Sequence, residues 1–367
     1  MDTVRRPCVV IAMPGEGVGP EVTAVAVDVL RTLADLFDVP VTVQPVEVGE
    51  PAWRRTGRHL PADAEQACRA AEASGRGAIL FGAVADEPIG TLRKQFDLFA
   101  NLRPVRVWPA LVEASPVRAE VARDVDLLIV RELVSGVYYG RRQAGTDAGG
   151  RWASQAMYYG ESEIRRIARV AFEQARSRRR HLTLVHKANA IPGVYGLWQD
   201  VVGDVAAGYP DVAVETQLVD SMAAQLVLRP RTFDVILASN LFGDILSDLG
   251  GGLAGSIGLL PSASLNAKGF ALYEPVGGTA PDIAGKNVAN PLGAVLSVAL
   301  LCRHTLGQPA AATLLERAVD TVLARHRTAD VWRPGLTRVS TTEMGERLTA
   351  ELRRAAGRPA AATGVPA

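Results

Sequence analysis

The chain of 367 residues has little lysine: four residues, Lys94, Lys187, Lys268 and Lys286, against 36 arginines. Its three cysteines, Cys8, Cys68 and Cys302, are far apart and form no CxxC or metal-finger spacing. That excludes a disulfide scaffold and a zinc module, and leaves the buried, reduced thiols of a cytoplasmic protein. Long apolar runs are missing too. The longest, near Leu292–Cys302, falls well short of the roughly 20 residues that cross a bilayer. Neither sign of charge is in surplus: Lys+Arg is 40, Asp+Glu is 39 and the net charge is +1. The balance gives no electrostatic reason to expect nucleic acid or an anionic membrane as partner. Arg5 and Arg6 precede an apolar run, but Pro14-Gly15-Glu16 cuts it short, so the start reads as neither a signal nor a transit peptide.

What is present is a globular balance, 48% hydrophobic and 22% charged, at a length suited to two domains or one two-lobed enzyme. Short β-branched runs alternate with helical patterns. Cys8–Met13, Val41–Val48, Ala78–Phe81, Asp126–Val130, Leu182–Val185, Val212–Glu215 and Asp234–Ala238 read as strands. Val18–Leu36, Ala64–Ala73, Glu161–Arg176 and Val194–Ala206 read as helices between them. This alternation predicts an α/β fold with a largely parallel central sheet. Gly140–Ala153, polar and flanked by paired tyrosines, reads as a protruding arm, and the tail from Gly357 as disordered. The run Arg176 to Arg180 complements the dipole of the helix it ends, which suffices to explain it without nucleic acid.

Several segments carry candidate chemistry. Asp244 and Asp248, in NLFGDILSD, lie four apart on an otherwise apolar helical turn, so both carboxylates project from one face. Two acids so placed repel unless a cation lies between them, and an oxygen-only site suits Mg²⁺ or Mn²⁺; the plain alternative is a solvated helix face. Arg93, Arg103 and Arg131 form a second group. Arg131 ends the apolar strand DLLIV, where open α/β sheets place ligand contacts, and converging guanidinium groups clamp carboxylates. The plain alternatives are an ion pair of Arg93 with Asp97 and a surface strand for Arg103. Lys187 follows the strand LTLVH, where a lysine near a divalent ion can act as a base; the adjacent His186 reads as a structural histidine. Gly15-Glu16-Gly17-Val18-Gly19-Pro20 lacks the spacing of a Rossmann fingerprint. The glycine-rich segment 277–286 is the better nucleotide loop, with Asp282 placed to accept ribose hydroxyls.

In order along the chain, MPGEGVGPEV, LRKQFDLFANLRP, DLLIVREL, VHKAN, NLFGDILSD, LLPSASL and GGTAPDIAGKNVANP resemble the β-decarboxylating dehydrogenases, and DLFANLRP and NLFGDILSD are most similar to the 3-isopropylmalate branch. The resemblance runs from about residue 9 to about residue 307. It implies a two-lobed α/β architecture with a parallel or mixed central sheet, not a Rossmann fold. Residues 1–99 and 252–356 would form the cofactor lobe. Residues 100–251 would form the substrate, metal and dimerisation lobe, with its arm at 136–158. It further implies NAD-dependent oxidative decarboxylation of a 3-substituted malate by a cytoplasmic homodimer. In that reading Arg93, Arg103 and Arg131 hold substrate carboxylates, and Ile89 and Leu92 line an apolar pocket for the C3 group. Asp244 and Asp248, with Asp220 from the partner subunit, hold Mg²⁺ or Mn²⁺. Lys187, also from the partner, removes the hydroxyl proton and Tyr138 protonates the product. Gly278, Thr279, Ala280, Pro281, Asp282, Ile283 and Asn290 receive NAD. Three positions depart from the family pattern: Gly277 stands where a histidine is usual, Glu16 replaces an aspartate, and Val84–Leu92 is short. Asp86 and Glu87 would repel a third carboxylate, which argues against isocitrate and homoisocitrate. Another C3-substituted malate, D-malate or tartrate is the alternative substrate, and a non-catalytic regulatory subunit the alternative of another class.

Overall fold

The computed structural model describes residues 7–85 and 87–357; Asp86 and the tail beyond Gly357 lie outside the described residues. Besides a two-residue pair, His326–Arg327 with Thr337–Arg338, twelve strands form among the described residues, ten in one sheet and two in a hairpin. In chain order they are β1 (Cys8–Gly15), β2 (Val41–Pro45), β3 (Gly77–Ala83), β4 (Ala100–Arg106), β5 (Asp126–Glu132), the hairpin β6 (Arg142–Asp147) and β7 (Gly150–Gln155), then β8 (His181–His186), β9 (Ala213–Leu218), β10 (Val235–Ala238), β11 (Pro261–Leu265) and β12 (Ala271–Pro275). The sheet order is β2-β1-β3-β12-β11-β4-β5-β10-β8-β9.

The two ends of the sheet are parallel, as the βαβ alternation predicts: β2, β1, β3 and β12 at one end, β5, β10, β8 and β9 at the other. They run in opposite directions, because the central pairs β12–β11, β11–β4 and β4–β5 are antiparallel. The strands seen in the sequence match β1, β2, β3, β5, β8, β9 and β10 to within a few residues, and the helix Glu161–Arg176 matches at both ends. The central β4, β11 and β12 carry no apolar alternation. A buried polar ladder holds β4 to β11 instead: the Asn101 amide donates to Ser262 Oγ at 2.7 Å and Ser264 Oγ at 3.1 Å.

Helices cover both faces. The helix Leu292–His304 is buried along nearly its whole length, which accounts for the longest apolar run of the sequence. Among the described residues no helix is long and apolar enough to cross a membrane. The arm is a hairpin of exposed residues, with Trp152 45% exposed. The arginine run is held by acids as well as by its helix end. Arg176 pairs with Asp211, and Arg178 with Asp234 and Asp126.

Candidate active site

The front face of β4 and β5, together with the helix Asn240–Ala254, brings the arginines and acids together. Asn101 and Arg103 alternate onto one face of β4, and Arg131 stands opposite Asn101 in the ladder. Gly243 lets the helix pass directly over Arg131, since a Cβ there would lie 2.6 Å from the arginine side chain. Asp244 is the hub. Its Oδ1 accepts from Arg131 Nη1 and, at 3.2 Å, from Arg103 Nη1; its Oδ2 accepts from the Tyr138 hydroxyl at 2.5 Å. Arg103 is further tied to Asn101 and Ser247, and reaches Asp248 at 3.6 Å. Arg93 donates to Glu274 at 2.8 Å, while its buried Nε has no partner among the described residues. The ion pair with Asp97 does not form, because Asp97 is taken by Arg166. Arg103 is 6% exposed, so it is no surface residue.

The electrostatics follow from this packing. Burial disfavours the Asp244 charge, but Arg131 and Arg103 outweigh it and hold the carboxyl below its usual range. Asp248 moves the other way, raised by burial and by the Asp244 charge against the pull of Arg103. Burial and the nearby Arg103 lower Arg131 to about 9, which leaves it charged at neutral pH. Burial and the bond to Asp244 raise the Tyr138 hydroxyl, so it keeps a proton to give.

These side chains border a cavity of about 230 Å³, with Arg93, Arg103, Asp244, Asp248 and Glu274 on its polar side and Val84, Ile89 and Ile257 on its apolar side. Arg131 lies behind, 2% exposed, against the Tyr138 ring and Asp244. Ile89 lines the cavity as expected. Leu92 does not: it is fully buried in the second hydrophobic core with Ile11 and Phe81, and Val84 and Ile257 supply the apolar wall. Glu87 is exposed. Glu16 ties down the short segment after β3, accepting from the backbone N–H of Ala85 and of Glu50, both at 2.7 Å.

A second cavity, about 450 Å³ and largely apolar, shares Ala83, Ile257, Pro275, Gly277 and Gly278 with the first. Of the predicted cofactor residues, Gly278, Ala280, Ile283 and Asn290 line it; Thr279, Pro281 and Asp282 lie on the same loop, with Asp282 exposed. The 15–20 loop clasps this one: the Val18 N–H donates to Thr279 O at 2.8 Å, and a Cβ on Gly17 would lie 2.0 Å from that oxygen. Asp330, which no sequence pattern marks, lines the cavity and accepts from Asn290 at 2.9 Å and Ser256 at 2.5 Å.

Lys187 and Asp220 are brought together with each other, at 2.7 Å, and that bond holds the Asp220 carboxyl below its usual range. No cluster of three metal-ligating side chains forms among the described residues, so within one chain Asp244 and Asp248 stand as a pair. His186 is a buried structural histidine that accepts from the Ala188 N–H, and burial keeps it neutral.

Residues 9–348 match the family model described as isocitrate/isopropylmalate dehydrogenase. The 3-isopropylmalate dehydrogenase of Xanthomonas campestris pv. campestris is 44% identical, covering 94% of this chain and 99% of its own length. That of Gloeobacter violaceus is 45% identical over 94% and 98%. The isocitrate dehydrogenase of Methylococcus capsulatus superposes with a TM-score of 0.83 at 32% identity, over 94% of this chain and 99% of that one. A match over nearly the whole chain, joined to arginines and paired acids beside an apolar cavity, makes this protein a member of the isocitrate/isopropylmalate dehydrogenase family.

Proposed function

We propose that the protein oxidises and decarboxylates 3-isopropylmalate to a 2-oxo acid, CO₂ and NADH, with Mg²⁺ or Mn²⁺ bound. The observation that carries the reading is the two-sided cavity, charged on one wall and apolar on the other, opening into a second apolar cavity through side-chain-free glycines. A malate with a branched alkyl group at C3 has that same division of surface. Arg93, with its unpaired buried Nε, and Arg103 bind its carboxylates, and Arg131 supports them from behind. Asp244 and Asp248 fit a hard divalent cation, which supplies Lewis-acid polarisation of the hydroxyl and adjacent carboxylate when bound. NAD⁺, received by the loop of Gly278 to Asp282, would supply the acceptor for hydride from C2; Lys187 would take the C2 hydroxyl proton, and the C3–carboxylate bond would then break to release CO₂. Tyr138 then delivers a proton to C3.

Lys187 and Asp220 form a pair apart from Asp244 and Asp248, which fits a homodimer whose two copies exchange these residues. The exposed arm, with Tyr138 at its base, fits the same assembly. Residues 1–99 and 252–356 then form the cofactor lobe and 100–251 the substrate lobe. Asp282 turns the cofactor site toward NAD, since its exposed carboxylate disfavours a 2′-phosphate, and Asn290 would contact the adenine side. A cytoplasmic location fits the three buried, unpaired thiols.

The test is NADH formation with 3-isopropylmalate, NAD⁺ and Mg²⁺, beside D-malate, tartrate and a C3-aryl malate, each repeated with chelator and with NADP⁺. Turnover of 3-isopropylmalate that chelator abolishes is expected. Preferential turnover of another malate would replace the substrate and keep the chemistry. Silence on all of them without NAD⁺ binding would replace the reading with a regulatory subunit.

A further inference from the structure

Asn240 opens the helix that carries Asp244 and is 1% exposed. Its side chain has four partners. Oδ1 accepts from Arg131 Nε at 3.1 Å and Nη2 at 2.6 Å. Nδ2 donates to Leu133 O at 3.1 Å and Ser135 O at 3.0 Å. The amide has one orientation, since turning it over would set its NH₂ against a guanidinium and its oxygen against two carbonyls. Its backbone N–H donates to Tyr159 OH at 2.9 Å, and Tyr159 is wedged edge-on against Trp198.

The arrangement divides the Arg131 guanidinium. One edge belongs to Asn240, and Nη1 alone reaches Asp244. Because Asn240 and Asp244 sit one turn apart on one helix, that helix grips the arginine at both ends. The two carbonyls taken by Nδ2 belong to the turn leaving β5, which Glu132 holds from beneath by accepting the Val134 and Ser135 N–H groups. Tyr138 follows directly, in the short 3₁₀ turn Gly136–Tyr139.

We propose that Asn240 is a positioning residue: it fixes Arg131, with Nη1 on Asp244, behind the groups that bind the substrate carboxylates, and sets the turn that presents Tyr138. The proposal rests on the supporting role given above to Arg131 in substrate binding. Asn240→Ala removes all four bonds. The KM for 3-isopropylmalate should rise at least about tenfold, while the KM for NAD⁺ stays within about twofold. A role confined to stability would move both constants together or neither, and that result overturns the proposal. A crystal structure of the variant gives a readout that does not depend on the substrate: the Arg131 guanidinium should leave its place, and finding it unmoved overturns the proposal. If wild type is inert on 3-isopropylmalate, the substrate reading fails and the crystal structure still decides the positioning claim. Should Asn240→Ala not fold, the isosteric Asn240→Asp keeps the acceptor for Arg131 but loses both donors and neutralises the arginine. Its KM for 3-isopropylmalate should rise likewise, and a wild-type KM overturns the idea.

Discussion

On the substrate side of the cleft, one carboxylate, Asp244, receives Arg131, Arg103 and Tyr138, and each arginine has a further fixed partner in Asn240, Asn101 or Ser247. On the cofactor side, Gly277 and Gly278 carry no side chain, a Cβ on either would meet nothing within 4 Å, and Asp282 is exposed. The first region is set before any ligand arrives. The second offers shape and backbone, and takes its final contacts from what binds. A site that must hold charge in a water-poor place needs its dipoles fixed in advance, whereas a largely apolar cavity can rely on burial.

The largest effect that would sharpen this contrast is at Asp244. Asp244→Ala leaves two buried guanidinium groups without their shared anion, so turnover should be lost and folding stability should drop by about 3 kcal/mol or more. The matched change on the other side, Asp282→Ala, removes an exposed carboxylate and should alter stability by less than about 0.5 kcal/mol. Urea denaturation of the two variants side by side reads both values, and equal losses would erase the distinction.

A second effect is a pH dependence built into the substrate side. Glu132 is fully buried, and burial pushes its carboxyl from the usual 4.5 up to about 7, against the pull of the Val134 and Ser135 N–H groups. The folded chain therefore holds this proton more tightly than the unfolded one. The stabilisation is complete below about pH 4.5 and is lost as pH rises through about 7, a span worth about 3 kcal/mol. Glu132→Gln carries no such titration. Its stability relative to wild type should improve by about that amount between pH 4.5 and pH 8, and a gap that stays constant with pH would exclude this origin.

The smallest expected effect lies in the cofactor loop. Gly277→Ala points its methyl group into open space, so stability should change by less than about 1 kcal/mol and in the favourable direction. Gly17→Ala supplies the contrast: φ is +62° and the new Cβ would lie 2.0 Å from Thr279 O. Its melting temperature should fall while that of Gly277→Ala holds; parallel falls would show that the open space is not open in solution.

The outer strands and the paired acids were legible because their signals are local. β-branched runs mark buried parallel strands, and spacing four puts Asp244 and Asp248 on one face. The centre of the sheet was not, because its burial is secured by polar groups: PSASL packs through serines bonded to Asn101, and ANLRPVR carries an arginine and a proline. Asn240, Glu274 and Asp330 were missed for a related reason. Each acts by meeting a partner distant in the chain, such as Arg131 for Asn240 or Arg93 for Glu274, and single-sequence periodicity holds no record of such meetings. Leu92 shows the opposite failure, since helical spacing says that a residue is buried but not in which pocket.

The antiparallel centre of the sheet also sets the order in which the protein can be born. Ile79 of β3 pairs with Leu272 of β12, and Leu102 of β4 pairs with Ala263 of β11. At about 5–20 residues per second, the ribosome needs on the order of 10–40 s to make the chain between the first pair. For that interval β3 and β4 each present a bare edge, the template on which strands of separate molecules join. The sheet closes last at its middle, so a half-made chain is at its most sticky, and the yield of this protein in a cell depends on how that interval is sheltered.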